Sequence, residues 1–315
     1  MQNTALSGVI GLSRLKQQIS RSVVSSRIRH ASMGHTLICG AGGCGKSLLA
    51  RTIAKMLELP FYHIEAAELQ SRRIVLDWIL KCNGLSGSKS FVLFLDECHR
   101  LSVDRQEAFY YPMIERTLEQ NGQKIKLNPF TLIGATTRKD MLDQGSFVTR
   151  FQNVWDIGRY GFFDILQIID KAMVREGLVC EVRERCAIAS RCLGIPRTAV
   201  NLVMKVRDEV LYRHPKDNRV LLRDVLGVFN LEEIDNIGLE KVHLTYLRAL
   251  AQTPAQPKGL GVLSAMLGRA KPTIEDTVEP ILFSLHYVVA TPRGRMVTDK
   301  GLLHLKGTEV AQKGE

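Results

Sequence analysis

Eight consecutive residues constrain this chain more than any others: Gly40-Ala41-Gly42-Gly43-Cys44-Gly45-Lys46-Ser47. A short apolar run, residues 36–39, leads into them, and residues 48–56 continue in a helical pattern. Strand, glycine loop, lysine, hydroxyl and helix is the order that a phosphate-binding P-loop requires. Gly40, Gly42, Gly43 and Gly45 let successive backbone N–H groups turn inward into an anion nest. A helix beginning near Lys46 adds the positive end of its dipole. In this pattern Lys46 reaches the β- and γ-phosphates of ATP, and the Ser47 hydroxyl ligates Mg²⁺. Cys44 and Leu48 complete the stretch expected to touch the nucleotide.

Composition narrows what the nucleotide serves. At 315 residues the chain is too long for one ordinary core, so two or three domains are expected. No apolar run approaches bilayer length, and residues 1–18 carry no secretory h-region. Seven cysteines with no C-x-x-C pair support neither a disulfide framework nor a zinc site. That usage points to a reducing, cytoplasmic setting. The net charge of +11 suits a polyanion, DNA or RNA, better than a membrane surface.

Apolar runs at 36–39, 61–64, 91–95 and 130–135 alternate with helical patterns at 48–57, 72–82 and 103–118. This alternation predicts a parallel α/β sheet. Asn121-Gly122 is a hairpin signal. After Arg150 the strand signal fades, and residues 162–229 read as a helical domain. From about residue 237 there are helical patterns at 241–251, 261–266 and 274–283. Two short β-prone pieces follow, 287–290 and 295–298, joined by Thr291-Pro292-Arg293-Gly294. Three helices and a hairpin are the layout of a winged helix. The expected domains are 1–160, 161–236 and 237–315.

Several residues carry candidate chemistry. Asp96 ends the run 91–95 and is placed to hold the Mg²⁺ shell, beside the crevice where open α/β sheets bind ligands. Glu97 then orients and polarises the attacking water. His99 follows without an assigned role. Thr136 or Thr137 hydrogen-bonds that water or the γ-phosphate. Arg197 sits near a helix N-terminus, a poor place for a cation unless an anion is its partner. Arg150 lies between apolar residues. It is either an arginine finger for the ATP of a neighbouring subunit or a buried ion-pair partner, and spacing does not choose. Arg293 and Arg295 flank the proposed wing tip, suited to DNA phosphates.

Taken in order, these motifs resemble the AAA+ ATPases and, among them, the RuvB family. The resemblance rests on Ile10-Gly11-x-x-Arg14-Leu15-Lys16, Asp96-Glu97-Cys98-His99-Arg100-Leu101, residues 128–138, Gly194-Ile195-Pro196-Arg197, Thr273-Ile274-Glu275-Asp276, Glu279-Pro280 and Thr291-Pro292-Arg293-Gly294-Arg295. It implies an α/β P-loop domain, a small helical lid and a C-terminal winged helix. Lys46 and Ser47 then match Walker A, Asp96 and Glu97 Walker B, Thr137 sensor 1 and Arg197 sensor 2. Arg150 matches the second arginine of the family's finger motif. Val9 and Ile10 fall where the adenine pocket forms, and Tyr160 falls near the nucleotide. The family implies a homo-hexameric ring on duplex or four-way-junction DNA, driven by ATP and Mg²⁺, with a RuvA partner.

This chain departs from the family in four places. The L-R-P stretch is absent, Val148 replaces the first finger arginine, the P-loop interior is A-G-G-C, and residues 112–129 are shorter than the hairpin that grips RuvA. The expected activity is an ATP-driven DNA motor for branch migration or translocation. The alternatives are an ATP-gated DNA-binding module and a clamp-loader-like ATPase.

Overall fold

The structure, a computed structural model, describes residues 4–120 and 122–313. They divide into two compact units, one ending at Tyr160 and the other beginning at Gly161. Among the described residues, no helix is long and apolar enough to cross a membrane.

The first unit is built on strands β1 (Thr36–Gly40), β2 (Phe61–Glu65), β3 (Phe91–Asp96), β4 (Thr117–Gln120), β5 (Gln123–Lys126), β6 (Phe130–Thr136) and β7 (Asn153–Ile157). Five of them form one parallel sheet in the order β2-β3-β6-β1-β7. Both faces are covered, which is why β3 reads as an unbroken apolar run. Leu37, Leu93, Leu95 and Leu132 pack on one face with Ile79, Phe147 and Phe151. Ile38, Val92, Phe94 and Ile133 pack on the other with Ile19, Val23, Leu49 and Ile53. Each such side chain contributes about 1.5–3 kcal/mol by leaving water.

Register brings the chemistry to one edge. Cys39 pairs with Thr136, Leu95 with Gly134, and Glu65 with Asp96. The strand ends that carry Gly40, Asp96 and Thr136 therefore lie together at the carboxyl side. Chain connections from adjacent β1 and β6 leave in opposite directions along the sheet, the arrangement that opens a binding crevice.

Strand β7 was not expected, because the strand signal fades after Arg150. It is an edge strand in which only Trp155 and Ile157 are fully buried while Asp156 is exposed. One buried row in five residues leaves a weak pattern. The helix expected over 103–118 is also interrupted, into Val103–Glu107 and Tyr110–Glu115. Pro112 has no N–H to give the carbonyl four residues back. Arg116, at φ 52°, then turns the chain into β4. Strands β4 and β5 pair antiparallel as a short hairpin.

The second unit opens with helices Phe162–Arg175, Val182–Ser190, Pro196–Arg213 and Leu222–Leu231. Helices Lys241–Ala251, Leu260–Leu267 and Glu279–Ser284 follow, then β8 (Val288–Thr291) and β9 (Gly294–Val297) as an antiparallel hairpin. Arg295 exchanges both backbone hydrogen bonds with Lys258, at 2.9 Å each, which adds a third short rung to the wing. Gly294 is obligatory here, since a Cβ would meet the Lys258 carbonyl oxygen at 2.4 Å. A closing helix, Asp299–Lys313, was not expected.

The segment between the fourth and fifth helices of this unit is tightly tied. Asp235 Oδ1 accepts the N–H groups of Ile237 and Leu239, and its carbonyl accepts Arg191 Nε at 2.9 Å. Its Oδ2 lies 2.7 Å from His304 Nε2 on the closing helix. Gly238 takes φ 98°, and a Cβ there would stand 2.2 Å from the Arg191 carbonyl oxygen.

Candidate nucleotide-hydrolysis site

The glycine loop runs from the end of β1 into helix Lys46–Leu57. Gly45 caps that helix at φ 96°, and Gly43 takes φ 78°. Both are left-handed conformations that glycine adopts without strain. Gly40 is fixed by crowding, since a Cβ would meet the Ile157 carbonyl oxygen at 2.7 Å. Cys44 is buried beneath the loop and packs with Ile38 and Ile157.

Lys46 is 6% exposed. Its ammonium donates to the carbonyls of Gly40 at 2.9 Å and Ala41 at 3.2 Å. Among the described residues, no carboxylate lies within ion-pair distance of it. A buried ammonium held only by carbonyl dipoles, inside an arc of glycine N–H groups, favours an anion.

Beside Lys46 a polar chain begins at Ser47. Ser47 Oγ donates to Asp96 Oδ2 at 3.0 Å. Asp96 Oδ1 accepts the Glu97 N–H at 3.0 Å. Thr137 Oγ1 donates to Glu97 Oε2 at 3.2 Å. Of the two threonines, Thr137 is therefore the one bonded to Glu97. Thr136 turns inward, where its Oγ1 accepts the Arg138 N–H at 2.9 Å. Glu97 itself takes φ 49°, ψ 44°, a left-handed backbone that costs a non-glycine residue about 1–3 kcal/mol and is concentrated at functional sites.

Ser47 and Asp96 present a hydroxyl and a carboxylate oxygen side by side, the donor pair that a hard cation takes. Among the described residues there is no cluster of three or more His, Cys, Asp or Glu that would cage a metal alone. The pair fits Mg²⁺ completed by phosphates and water.

Val9 is buried in the apolar cluster under the loop, with Tyr160 packed against that cluster. Ile10 is half-buried. The Tyr160 hydroxyl donates to the Cys44 carbonyl at 3.0 Å. Leu48 is 55% exposed, on the first turn of its helix. Gly42 is open, with nothing within 4 Å of a would-be Cβ.

Two histidines that sequence reasoning left aside belong to the site. His99 is buried, with Nδ1 3.2 Å from Glu97 Oε2. His63 on β2 has Nε2 3.9 Å from Asp96 Oδ2. A Cys98-His99 dipeptide after Asp-Glu carries no pattern of its own, so only the fold reveals them. Burial pushes the nearby Cys39 thiol up to about 11, with Asp156 adding to it, and pushes the Cys98 thiol up further.

Among the described residues, Arg150 makes no hydrogen bond to this chain of contacts. Arg150 closes a turn after Phe147, with its guanidinium carbon 3.6 Å from the centre of the Tyr110 ring and Nη1 bonded to the Ser146 carbonyl. Its buried Nε has no hydrogen-bond partner. Among the described residues the guanidinium meets an aromatic face and no carboxylate, which does not favour the ion-pair alternative. Arg197 belongs to the second unit, exposed on the first turn of helix Pro196–Arg213.

At the wing, Arg293 is exposed. Arg295 differs from expectation: Nε and Nη2 donate to Oε1 and Oε2 of Glu279 at 2.8 and 3.0 Å. Glu279 is 3% exposed, and a buried carboxylate must be paired. The guanidinium is thus tied to helix Glu279–Ser284 rather than left free for DNA phosphates. Tyr246 completes the cluster, its hydroxyl donating to Glu279 Oε1 at 2.7 Å.

Comparison with known proteins agrees with this architecture. The profile of the Holliday junction DNA helicase RuvB P-loop domain matches residues 1–156, and that of the RuvB C-terminal winged helix domain matches residues 236–306. The Holliday junction branch migration complex subunit RuvB of Orientia tsutsugamushi (strain Boryong) is 30% identical over 314 residues, covering 97% of this chain and 94% of that one. The corresponding subunit of Helicobacter pylori (strain G27) is 33% identical over 301 residues, covering 92% and 87%. The solved Thermotoga maritima RuvB branch migration motor superposes with a TM-score of 0.85 at 29% identity, covering 96% of each chain. With an AAA+ P-loop domain, a helical lid and a winged helix in the same order over nearly its whole length, the chain belongs to the RuvB family.

Proposed function

We propose that this protein is an ATP-driven motor that moves duplex DNA, in the manner of its branch-migrating relatives. The observation that carries the reading is the unbroken series Ser47–Asp96–Glu97–Thr137 at the mouth of the Lys46 loop. It supplies every group that in-line attack on a γ-phosphate needs from one subunit.

Lys46 neutralises the β- and γ-phosphates. Ser47 and Asp96 would hold Mg²⁺, whose charge would offset that of the phosphates. Glu97 orients water toward the γ-phosphorus, with its carboxylate fixed by Thr137. The new P–O bond forms as the bond to the ADP oxygen breaks, and the water proton passes to Glu97 or solvent. Val9, Ile10 and Tyr160 border the adenine side.

Arg150 acts on the ATP of a neighbouring subunit, which requires a ring, as a homo-hexamer provides. Arg197, on the lid (161–236), answers to the γ-phosphate and passes nucleotide state to the winged helix (237–315). There Arg293 meets the DNA backbone. The hairpin β4–β5 is the surface for a junction-binding, RuvA-like partner, and its two four-residue strands suit a smaller contact than the family's own.

The test is a four-way junction with one labelled arm, incubated with protein, ATP and Mg²⁺. Wild type should resolve it into labelled duplexes, while Glu97→Gln binds ATP and the junction without resolving it. ATP-dependent binding by wild type, with neither strand exchange nor displacement of a bound triplex strand, would establish the gated module instead.

A further inference from the structure

His99 is buried, with a side chain 5% exposed, and faces two partners, Glu97 just after β3 and Thr136 at the end of β6. Nδ1 lies 3.2 Å from Glu97 Oε2 and 3.1 Å from Thr136 Oγ1. We assign the proton to Nδ1, because a bare nitrogen lone pair there would repel the carboxylate oxygen. The same N–H is shared with Thr136 Oγ1, which also accepts the Arg138 N–H at 2.9 Å.

Glu97 needs this support. Its backbone is left-handed at φ 49°, and its side chain is 32% exposed, so nothing in the chain's own conformation holds the carboxylate still. Thr137 holds Oε2 from one side with a neutral hydroxyl. His99 holds the same oxygen from beneath, anchored in the core.

We propose that His99 is a positioning residue for ATP hydrolysis: its Nδ1–H fastens the Glu97 carboxylate to the end of β6, so that the water-directing oxygen and the Thr137 segment keep one fixed geometry. The proposal rests on Glu97 directing the water. A misplaced general base costs on the order of 100-fold in rate, so the expected loss is about 10- to 100-fold in kcat. KM and ATP affinity should stay unchanged, because His99 touches neither the loop glycines nor Lys46.

The test uses the full chain and compares His99→Ala, His99→Asn, His99→Gln and Glu97→Gln by steady-state ATPase kinetics, binding of a fluorescent ATP analogue and melting temperature. The Asn amide nitrogen falls where Nδ1 stands, whereas the longer Gln amide falls near Nε2. The expected result is a kcat loss in His99→Ala and His99→Gln and recovery of most of it in His99→Asn. Equal losses in Asn and Gln would overturn the proposal, as would a wild-type kcat in Ala, a faster Ala variant, or a loss confined to KM. This Asn–Gln comparison stands even if Ala does not fold. Normal turnover by Glu97→Gln would remove the reading of Glu97 itself. An inactive Glu97→Gln beside an unaffected His99→Ala would remove only the role of His99.

Discussion

The Arg150 guanidinium stacks on the face of Tyr110, whose hydroxyl in turn donates to Asp143 Oδ2 at 2.9 Å. Asp143 also accepts the N–H groups of Gly145 and Ser146, so one carboxylate ties together the turn that carries the arginine. Stacking of this kind is worth about 0.5–2 kcal/mol. It holds the guanidinium in one place, as the proposed finger role requires. Tyr110→Leu should lower the ATPase rate of assembled protein about tenfold, by roughly 1.4 kcal/mol of lost preorganisation, with ATP binding intact. Tyr110→Phe keeps the ring and should lose less. Mixing Arg150→Ala with Lys46→Ala subunits should restore part of the activity that each lacks alone, measured as turnover against mixing ratio.

The two wing arginines should behave oppositely. Arg293→Ala should weaken junction binding and reduce the slope of log K against log salt by about one, with no change in melting temperature. Arg295→Ala leaves Glu279 buried and unpaired, and should cost about 3 kcal/mol of stability in the second unit. The paired change Arg295→Met with Glu279→Leu should recover much of that loss, read by chemical denaturation.

Metal dependence should report on Ser47. Replacing it with alanine removes the hydroxyl beside Asp96 that the proposed Mg²⁺ site uses. The Mg²⁺ concentration for half-maximal ATPase should rise about tenfold, in the range seen when metal-supporting contacts are lost. Chelation should stop turnover in wild type while nucleotide binding to the Lys46 loop persists.

Acid should destabilise the fold through two histidines. Burial holds His35 and His243 below their ordinary value of 6.5. His35 accepts the Leu132 N–H on Nδ1 and contacts the Met113 carbonyl through Nε2, an arrangement of the neutral ring. The unfolded chain binds more protons below about pH 6.5, so stability is full above that value and falls as pH drops, by up to about 1.4 kcal/mol per pH unit for each histidine. Melting temperature measured from pH 8 to pH 5 should be flat and then decline. His243→Leu should flatten the decline in the second unit alone.

The parts legible in sequence were those with local signatures. The glycine loop announces its own turn, and β3 announces burial on both faces by having no polar residue before Asp96. Strand β7 was hidden because an edge strand needs few apolar residues. The function of His99 depends on Thr136, 37 residues later, and the fate of Arg295 depends on Glu279, 16 residues earlier. Such pairings are decided by packing, and no spacing rule encodes them. The helix Asp299–Lys313 begins immediately after the hairpin, where a winged-helix pattern already looked complete.

Asp235 gives the second unit a mechanical property. A hinge needs a segment whose backbone is free to rotate, yet here Arg191, the N–H groups of Ile237 and Leu239, and His304 all converge on one residue. At Gly238 the backbone packs so near the Arg191 carbonyl that a Cβ would not fit. Such a joint behaves as a weld: the residue that follows helix Val182–Ser190 and the closing helix Asp299–Lys313 are both fastened to Asp235, so the two move as one piece.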